Sequence, residues 1–327
     1  MDASTVSTHD KILEIISFLL PLLQDHCASS PPSSVPPFFL GITGIQGAGK
    51  TTLTIHLHRA LTSEPYNLRV LTLSIDDLYL PHAQLTALSS AHPLNPFLQQ
   101  RGPPGTHDVP LGERLLEQLA EQRAVVRLPA YDKSAHGGRG DRVLEYKWSV
   151  ERGPWDVVVL EGWCVGFIPV GRDEVQRLWK ESNAHGKGIL RKYSLEDLVW
   201  LDEQLQSYQA FWRKLDALVQ VYDPLTPQTF SNPPETNLLE LSDAQELEYV
   251  YNWRTQQEHN LIKLKGTGMS DEQVRAFVDS CAYSPSSSSS LSLGLVLKSR
   301  QICLRMSFTS LASDTPVPTP PQGGNPI

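Results

Sequence analysis

The chain has 327 residues, and its 28 Lys plus Arg against 36 Asp plus Glu give a formal net charge of −8. That balance argues against a protein that grips nucleic acid through a broadly basic surface. With 40% hydrophobic and 20% charged residues the chain is too apolar to be disordered throughout. The four cysteines (Cys27, Cys164, Cys281, Cys303) lie far apart with no C-x-x-C pair, which indicates neither a zinc ribbon nor a disulfide framework and suits a reducing compartment.

Residues 10–24 place Ile12, Leu13, Ile15, Ile16, Leu19 and Leu20 at helical spacing, so a covering helix is expected there. The apolar run from Ile15 to Leu23 is broken by Pro21. It falls short of the roughly 20 residues a bilayer span needs. Acidic Asp2, Asp10 and Glu14 precede it, unlike a signal or transit peptide, so no membrane association and a cytoplasmic location are expected. Residues 28–37, ASSPPSSVPP, read as a linker, because four prolines exclude a helix or strand interior. Residues 1–36 thus read as a helical arm with a Pro/Ser linker. Phe38 to Ile42 is a short strand running into a Gly-rich turn and a helix from Lys50 to Leu61. Further strands are expected at Val70–Ile75, Val157–Leu160 and Ala217–Tyr222, and helices at 111–122, 195–213 and 241–262. Strands alternating with helices predict an α/β domain over 37–282, with a parallel sheet and helices on both faces. From Tyr283 the composition changes: a serine tract (Ser284–Ser290) and a Pro/Gly tail (Thr315–Ile327) predict disorder over 283–327.

Gly44-Ile45-Gln46-Gly47-Ala48-Gly49-Lys50-Thr51 fits G-x-x-x-x-G-K-[ST] without exception, between an expected strand and an expected helix, and Thr52 continues it. Glycines let backbone N–H groups turn toward phosphates, and the helix N-terminus adds its dipole. In this motif Lys50 reaches the β and γ phosphates and the Thr51 hydroxyl meets Mg²⁺. Ser74-Ile75-Asp76-Asp77 lies where the second strand should end. A carboxylate there can take the proton of an attacking hydroxyl, although an Asp-Asp pair can equally cap a turn. Val157-Val158-Val159-Leu160-Glu161-Gly162 has the form of a Walker B strand, with an acid near Mg²⁺ or its waters. Between these acids, Asn95–Asp108, Pro129–Ser134 and Gly138–Arg142 are loops by composition that carry Arg, His, Asp and Lys together. They read either as an anion-binding surface or as solvated charge.

Six segments in order carry a family resemblance: GIQGAGKTT, SIDDLYL, NPFLQQRGPPGTHD, PAYDKSAHGGRGDR, VVVLEGWCVGF, and YVYNWRTQQEHNL with GTGMSDEQVRAFVD. The chain resembles the P-loop small-molecule kinases of the glycerate 3-kinase type, including fungal ATP-dependent kinase relatives. It is more distantly similar to pantothenate kinase, uridine kinase and phosphoribulokinase. The resemblance covers about residues 10 to 280. It implies a doubly wound parallel sheet of nucleoside-monophosphate-kinase type, and transfer of the ATP γ-phosphate to a hydroxyl of a small hydroxy acid such as glycerate. It implies ATP and Mg²⁺ as cofactors, the metal held by Thr51, Asp76 and Glu161. Asp76 matches the general base and Glu161 the Walker B acid. Arg101, His107 and Asp108 match a substrate-side loop, and Tyr131 and Lys133 the substrate-facing stretch that follows. Arg139 joins Lys50, Arg101 and Lys133 in a cationic set suited to phosphates. Arg254 matches a lid or phosphate-contacting arginine, or else pairs with Glu258 on the helix surface. After Phe277-Val278-Asp279 the family continues into a helix and an aliphatic strand. Here Ser280–Tyr283 enters the serine tract, so the tail reads as non-homologous and the last sheet element as missing. A kinase for another alcohol (pantothenate-like or nucleoside) and an inactive nucleotide-binding regulator are the competing readings.

Overall fold

A computed structural model describes residues 8–29, 35–44, 49–185, 190–222, 244–281 and 301–305. In chain order the elements are α1 (Thr8–Ala28), β1 (Phe38–Gly44), α2 (Lys50–Thr62), β2 (Val70–Ser74), α3 (His82–Ala91), α4 (Val109–Ala120), β3 (Val125–Leu128), β4 (Tyr131–Asp132), β5 (Asp141–Arg142), β6 (Ser149–Arg152), β7 (Val157–Gly162), α5 (Arg172–His185), α6 (Leu195–Trp212), β8 (Ala217–Tyr222), α7 (Ala244–Lys265), α8 (Asp271–Cys281) and β9 (Gln301–Arg305). A 3₁₀ turn, Ile75–Leu78, follows β2 directly.

β2, β7, β1, β8 and β9 lie side by side in that order as one parallel sheet. Its central strands are apolar at nearly every position because a parallel sheet is covered on both faces. The period of two divides them cleanly. Phe38, Leu40, Ile42, Val157 and Val159 pack with Leu53, Leu57 and Leu61 of α2 and with Ile15 and Leu19 of α1. Phe39, Val158 and Leu160 pack on the other face with Leu115 and Leu116 of α4 and Phe211 and Trp212 of α6. The sheet places Ser74, Gly162 and Gly44 along one edge, in register through Ser74↔Glu161 and Thr43↔Gly162. That edge carries the site.

The covering helix expected over 10–24 is present as α1, which runs through Pro21 to Ala28 and whose apolar stripe (Ile12, Ile15, Ile16, Leu19) is part of the core. One expectation changes here. The segment expected to be a disordered tail lacking any sheet element contains β9, which pairs in parallel with β8 from Leu218↔Gln301 to Tyr222↔Arg305. An open strand edge presents unpaired N–H and C=O groups, and β9 satisfies those of β8. The rest of 282–327 lies outside the described residues, as do 30–34 of the linker. Two small antiparallel pairs, β3 with β6 and β4 with β5, were not expected. No helix among the described residues is long and apolar enough to cross a membrane.

Candidate active site

The phosphate-loop residues Ile45, Gln46, Gly47 and Ala48 lie outside the described residues. The loop's two ends are described. Gly44 closes β1, and Gly49 precedes α2 with φ 74°, a left-handed conformation that favours glycine. Lys50 starts α2, is almost fully buried, and donates from Nζ to the Gly44 carbonyl at 2.6 Å. Burial lowers its pKa, and the negative charges of Glu161 and Asp76 oppose that shift. Thr51 and Thr52 follow on the same helix turn and line the cleft that opens in front of it.

Asp76 sits in the 3₁₀ turn beyond β2, where the Ser74 Oγ accepts from its backbone N–H at 3.3 Å. Its Oδ1 accepts from the Tyr79 hydroxyl at 3.0 Å and its Oδ2 from Lys133 Nζ at 2.5 Å. Burial alone would raise this carboxyl. The Lys133 charge and hydrogen bond outweigh it and hold Asp76 well below the usual carboxylate range. Glu161, at the end of β7, goes the other way: burial and then the charge of Asp76 raise its pKa, with Lys50 opposing. Asp77 is pushed up to about 6, chiefly by burial, while its Oδ1 accepts from the Tyr131 N–H at 3.0 Å. Three acids within one strand-end cluster therefore differ in proton affinity through their surroundings.

The opposite wall is cationic and aromatic. Arg101 is 2% exposed, donates from Nη1 to the Gly138 carbonyl at 2.5 Å, and lies 5.7 Å above the Tyr131 ring and 5.8 Å from the Phe277 ring. Its Nη2 is buried without a partner among the described residues. Arg254, from α7, lies 5.1 Å from the same Phe277 ring and pairs with Glu258 at 3.0 Å. Its Nε is likewise buried and unpartnered. Both arginines line the cleft with Lys50, Asp76, Lys133 and Glu161, in a volume of about 140 Å³. Arg254 thus lines the cleft and pairs with Glu258 at the same time.

The other expected substrate residues stand elsewhere. His107 is buried, stacks on Tyr79 at 4.4 Å, and faces the Tyr208 hydroxyl through Nδ1 at 2.7 Å. Burial lowers it to about 4, with the Asp76 charge opposing, so it is neutral at pH 7. It backs the site rather than lining it. Asp108 does not line the cleft: its Oδ1 caps α4 by accepting from Leu111 N–H at 3.0 Å, and its Oδ2 pairs with Arg142 at 2.8 Å. Arg142 also donates to the Tyr79 and Leu78 carbonyls, so the pair ties three loops together. Tyr131 supports Arg101 by its ring and is absent from the cleft lining. Arg139 is exposed and does not line the cleft; its carbonyl accepts from the Tyr131 hydroxyl at 3.5 Å. Trp163, Phe277, Tyr79 and Gln257 line the cleft although motif chemistry did not single them out. All but Gln257 are aromatic, and their signal was only their position inside quoted segments.

A parallel sheet with helices on both faces, a G-x-x-x-x-G-K-T loop between β1 and α2, and acids at neighbouring strand ends define a P-loop kinase. No protein-family model matches the chain. The chain is 37% identical over 248 residues to the "uncharacterized kinase mug58" of Schizosaccharomyces pombe, covering 74% of this chain and 78% of that one. It is 34% identical over 259 residues to the "probable ATP-dependent kinase TDA10" of Saccharomyces cerevisiae, covering 76% of each. Among solved structures, a D-glycerate 3-kinase from Cryptococcus neoformans superposes with a TM-score of 0.70 at 32% identity, over 90% of this chain and 95% of that one. The chain belongs to the family of ATP-using P-loop kinases that these proteins form.

Proposed function

We propose that the protein transfers the γ-phosphate of ATP to a hydroxyl of D-glycerate. The observation that carries this reading is the arrangement around Asp76. A carboxylate held ionised by Lys133 shares one small cleft with Lys50 and with two buried guanidinium groups that still have N–H groups to donate. The similarity to a D-glycerate 3-kinase along nearly its whole length supports the acceptor.

In this mechanism the phosphate loop and the N-terminus of α2 cradle the phosphates, and Lys50 neutralises charge on the β and γ groups. Asp76 accepts the proton of the acceptor hydroxyl as that oxygen bonds to the γ-phosphorus and the bond from this phosphorus to the ADP oxygen breaks, releasing ADP. It remains an acceptor while bonded to Tyr79 and Lys133, because a carboxylate offers about four lone-pair sites. Arg101, Lys133 and Arg254 hold the acceptor's carboxylate and the charge that develops on the transferring group. Positioning and electrostatics supply most of the acceleration, as in phosphoryl transfer generally.

Among the described residues no three His, Cys, Asp or Glu side chains converge into a protein-built metal cage. Two carboxylates and a hydroxyl suit Mg²⁺, which is commonly held by one or two carboxylates together with substrate phosphates. Thr51, Glu161 and Asp76 would hold it, and its charge would offset that of the β and γ phosphates.

The test is ADP release from Mg-ATP with a panel of acceptors. Stimulation by D-glycerate is expected. Stimulation only by nucleosides or pantothenate would transfer the reading to another alcohol. Tight ATP binding with no stimulated turnover would make the protein a nucleotide-binding regulator.

A further inference from the structure

Glu258 is an acid buried to 1% exposure on α7, and the chemistry above does not use it. Burying a carboxylate is costly unless it is paired and hydrogen-bonded. Its Oε1 accepts from the Met269 N–H at 2.8 Å, and its Oε2 lies 3.0 Å from Arg254 Nη2, an ion pair made without hydrogen-bond geometry. It does not itself line the cleft, whereas Arg254, one helical turn before it, does.

We propose that Glu258 is a positioning residue, which fixes the Arg254 guanidinium against Phe277 so that its remaining N–H groups face the anionic substrates. The inference rests on the reading of Arg254 given above. Three contacts hold the guanidinium: the Phe277 ring at 5.1 Å, Gln257 Oε1 at 3.3 Å, and the Glu258 carboxylate. Only the carboxylate carries a charge. The same carboxylate anchors the turn between α7 and α8. That turn packs on the loop between β4 and β5, where Thr267 Oγ1 donates to the Ser134 carbonyl at 3.3 Å and the Gly138 backbone meets Gly268 and Met269. A Cβ at Gly268 would lie 2.7 Å from Glu258 Oε1, so the turn must come this close. Gly138 in turn accepts from Arg101. One buried acid therefore sets Arg254 directly and braces the loop that holds Arg101.

The experiment compares Glu258→Gln, Arg254→Ala and the double variant in the full chain. Glutamine keeps the volume and an acceptor for the Met269 N–H, so the anchor of the turn between α7 and α8 survives while the charge facing Arg254 is removed. The expected result is a loss of about tenfold in kcat/KM for Glu258→Gln, the scale of the coupling between two charged residues in contact. A larger loss is expected for Arg254→Ala, and the double variant should match Arg254→Ala within about twofold, because coupled residues do not add. A second readout needs only one variant. Arg254→Ala should melt below wild type, because it leaves a buried carboxylate unpaired. Wild-type kcat/KM for Glu258→Gln, losses that multiply in the double variant, or an unchanged Tm for Arg254→Ala would each overturn the inference. Wild-type kcat/KM for Arg254→Ala would instead remove the reading of Arg254 on which it rests.

Discussion

On one wall of the cleft, Lys50, Asp76 and Glu161 stand at the ends of α2, β2 and β7. On the other, Arg101, Lys133 and Arg254 come from a loop, a hairpin and a late helix. The first wall is positioned by strand register: Ser74 lies opposite Glu161, and Thr43 opposite Gly162. The second has no such frame. Its cations are placed by side-chain and loop contacts: Arg101 by Tyr131, Phe277 and the Gly138 carbonyl, Lys133 by Asp76, and Arg254 by Phe277 and Glu258. The difference teaches a division of labour. On the reading proposed above, the groups that would meet the phosphates and take the proton stand at or just beyond the ends of α2, β2 and β7, whereas two of the three cations that would face the acceptor, Arg101 and Lys133, come from loops.

The comparison can be broken from either side. On the regular wall, Lys50→Ala should lower kcat/KM by about 10²–10³-fold, the scale of losing one preorganised donor, measured in steady-state assays. A loss confined to the acceptor's KM would place Lys50 on the wrong wall. On the irregular side, Asp108→Ala should cost about 3 kcal/mol of stability in urea denaturation, since it removes a helix cap and leaves Arg142 unpaired. The acceptor KM should stay near wild type. A raised KM with unchanged stability would restore Asp108 to the substrate loop.

Asp77, next to Asp76 and behind the cleft, accepts from the Tyr131 N–H and gives a pH-dependent prediction. Its folded pKa of about 6 lies above its ordinary value of 3.8, so the fold favours the protonated form. That contribution is fully present below the unfolded value and is lost as pH rises through 6. Asp77→Asn should therefore gain stability over wild type as pH rises from 4 to 6 and hold the gain above it, to at most about 3 kcal/mol. Chemical denaturation at pH 4 and pH 7 checks this, and a gain equal at both would contradict it. The smallest effect is expected for Arg139→Ala. Its exposed side chain should matter by no more than about 0.5 kcal/mol in stability. Acceptor KM should also be unchanged, and a raised KM would return it to the site.

The regular wall was legible in the sequence because its signals are local. A strand, a glycine turn and a lysine at fixed spacing define the phosphate loop, and apolar runs ending in Asp76 and Glu161 mark neighbouring strand ends. The irregular wall was legible only in composition. Arg101 and Arg139 look alike as loop cations, and only the packing of Tyr131 and Phe277 distinguishes the buried one. His107 and Asp108 read as ligands because polar residues in a loop carry no mark of burial, yet one stacks behind Tyr79 and the other caps a helix. Phe277 was hidden because an aromatic on a helix reads as core. β9 was hidden because five residues in a serine-rich context give no period, and its pairing depends on the distant edge of β8.

The central claim is that Asp76 is the proton acceptor of the phosphoryl transfer. It is tested most directly by Asp76→Asn, with ATP affinity from calorimetry and phosphate-ester formation on D-glycerate from ³¹P NMR. The account predicts nearly unchanged ATP affinity and a product rate lower by about 10³-fold. Product formed at the wild-type rate would contradict it.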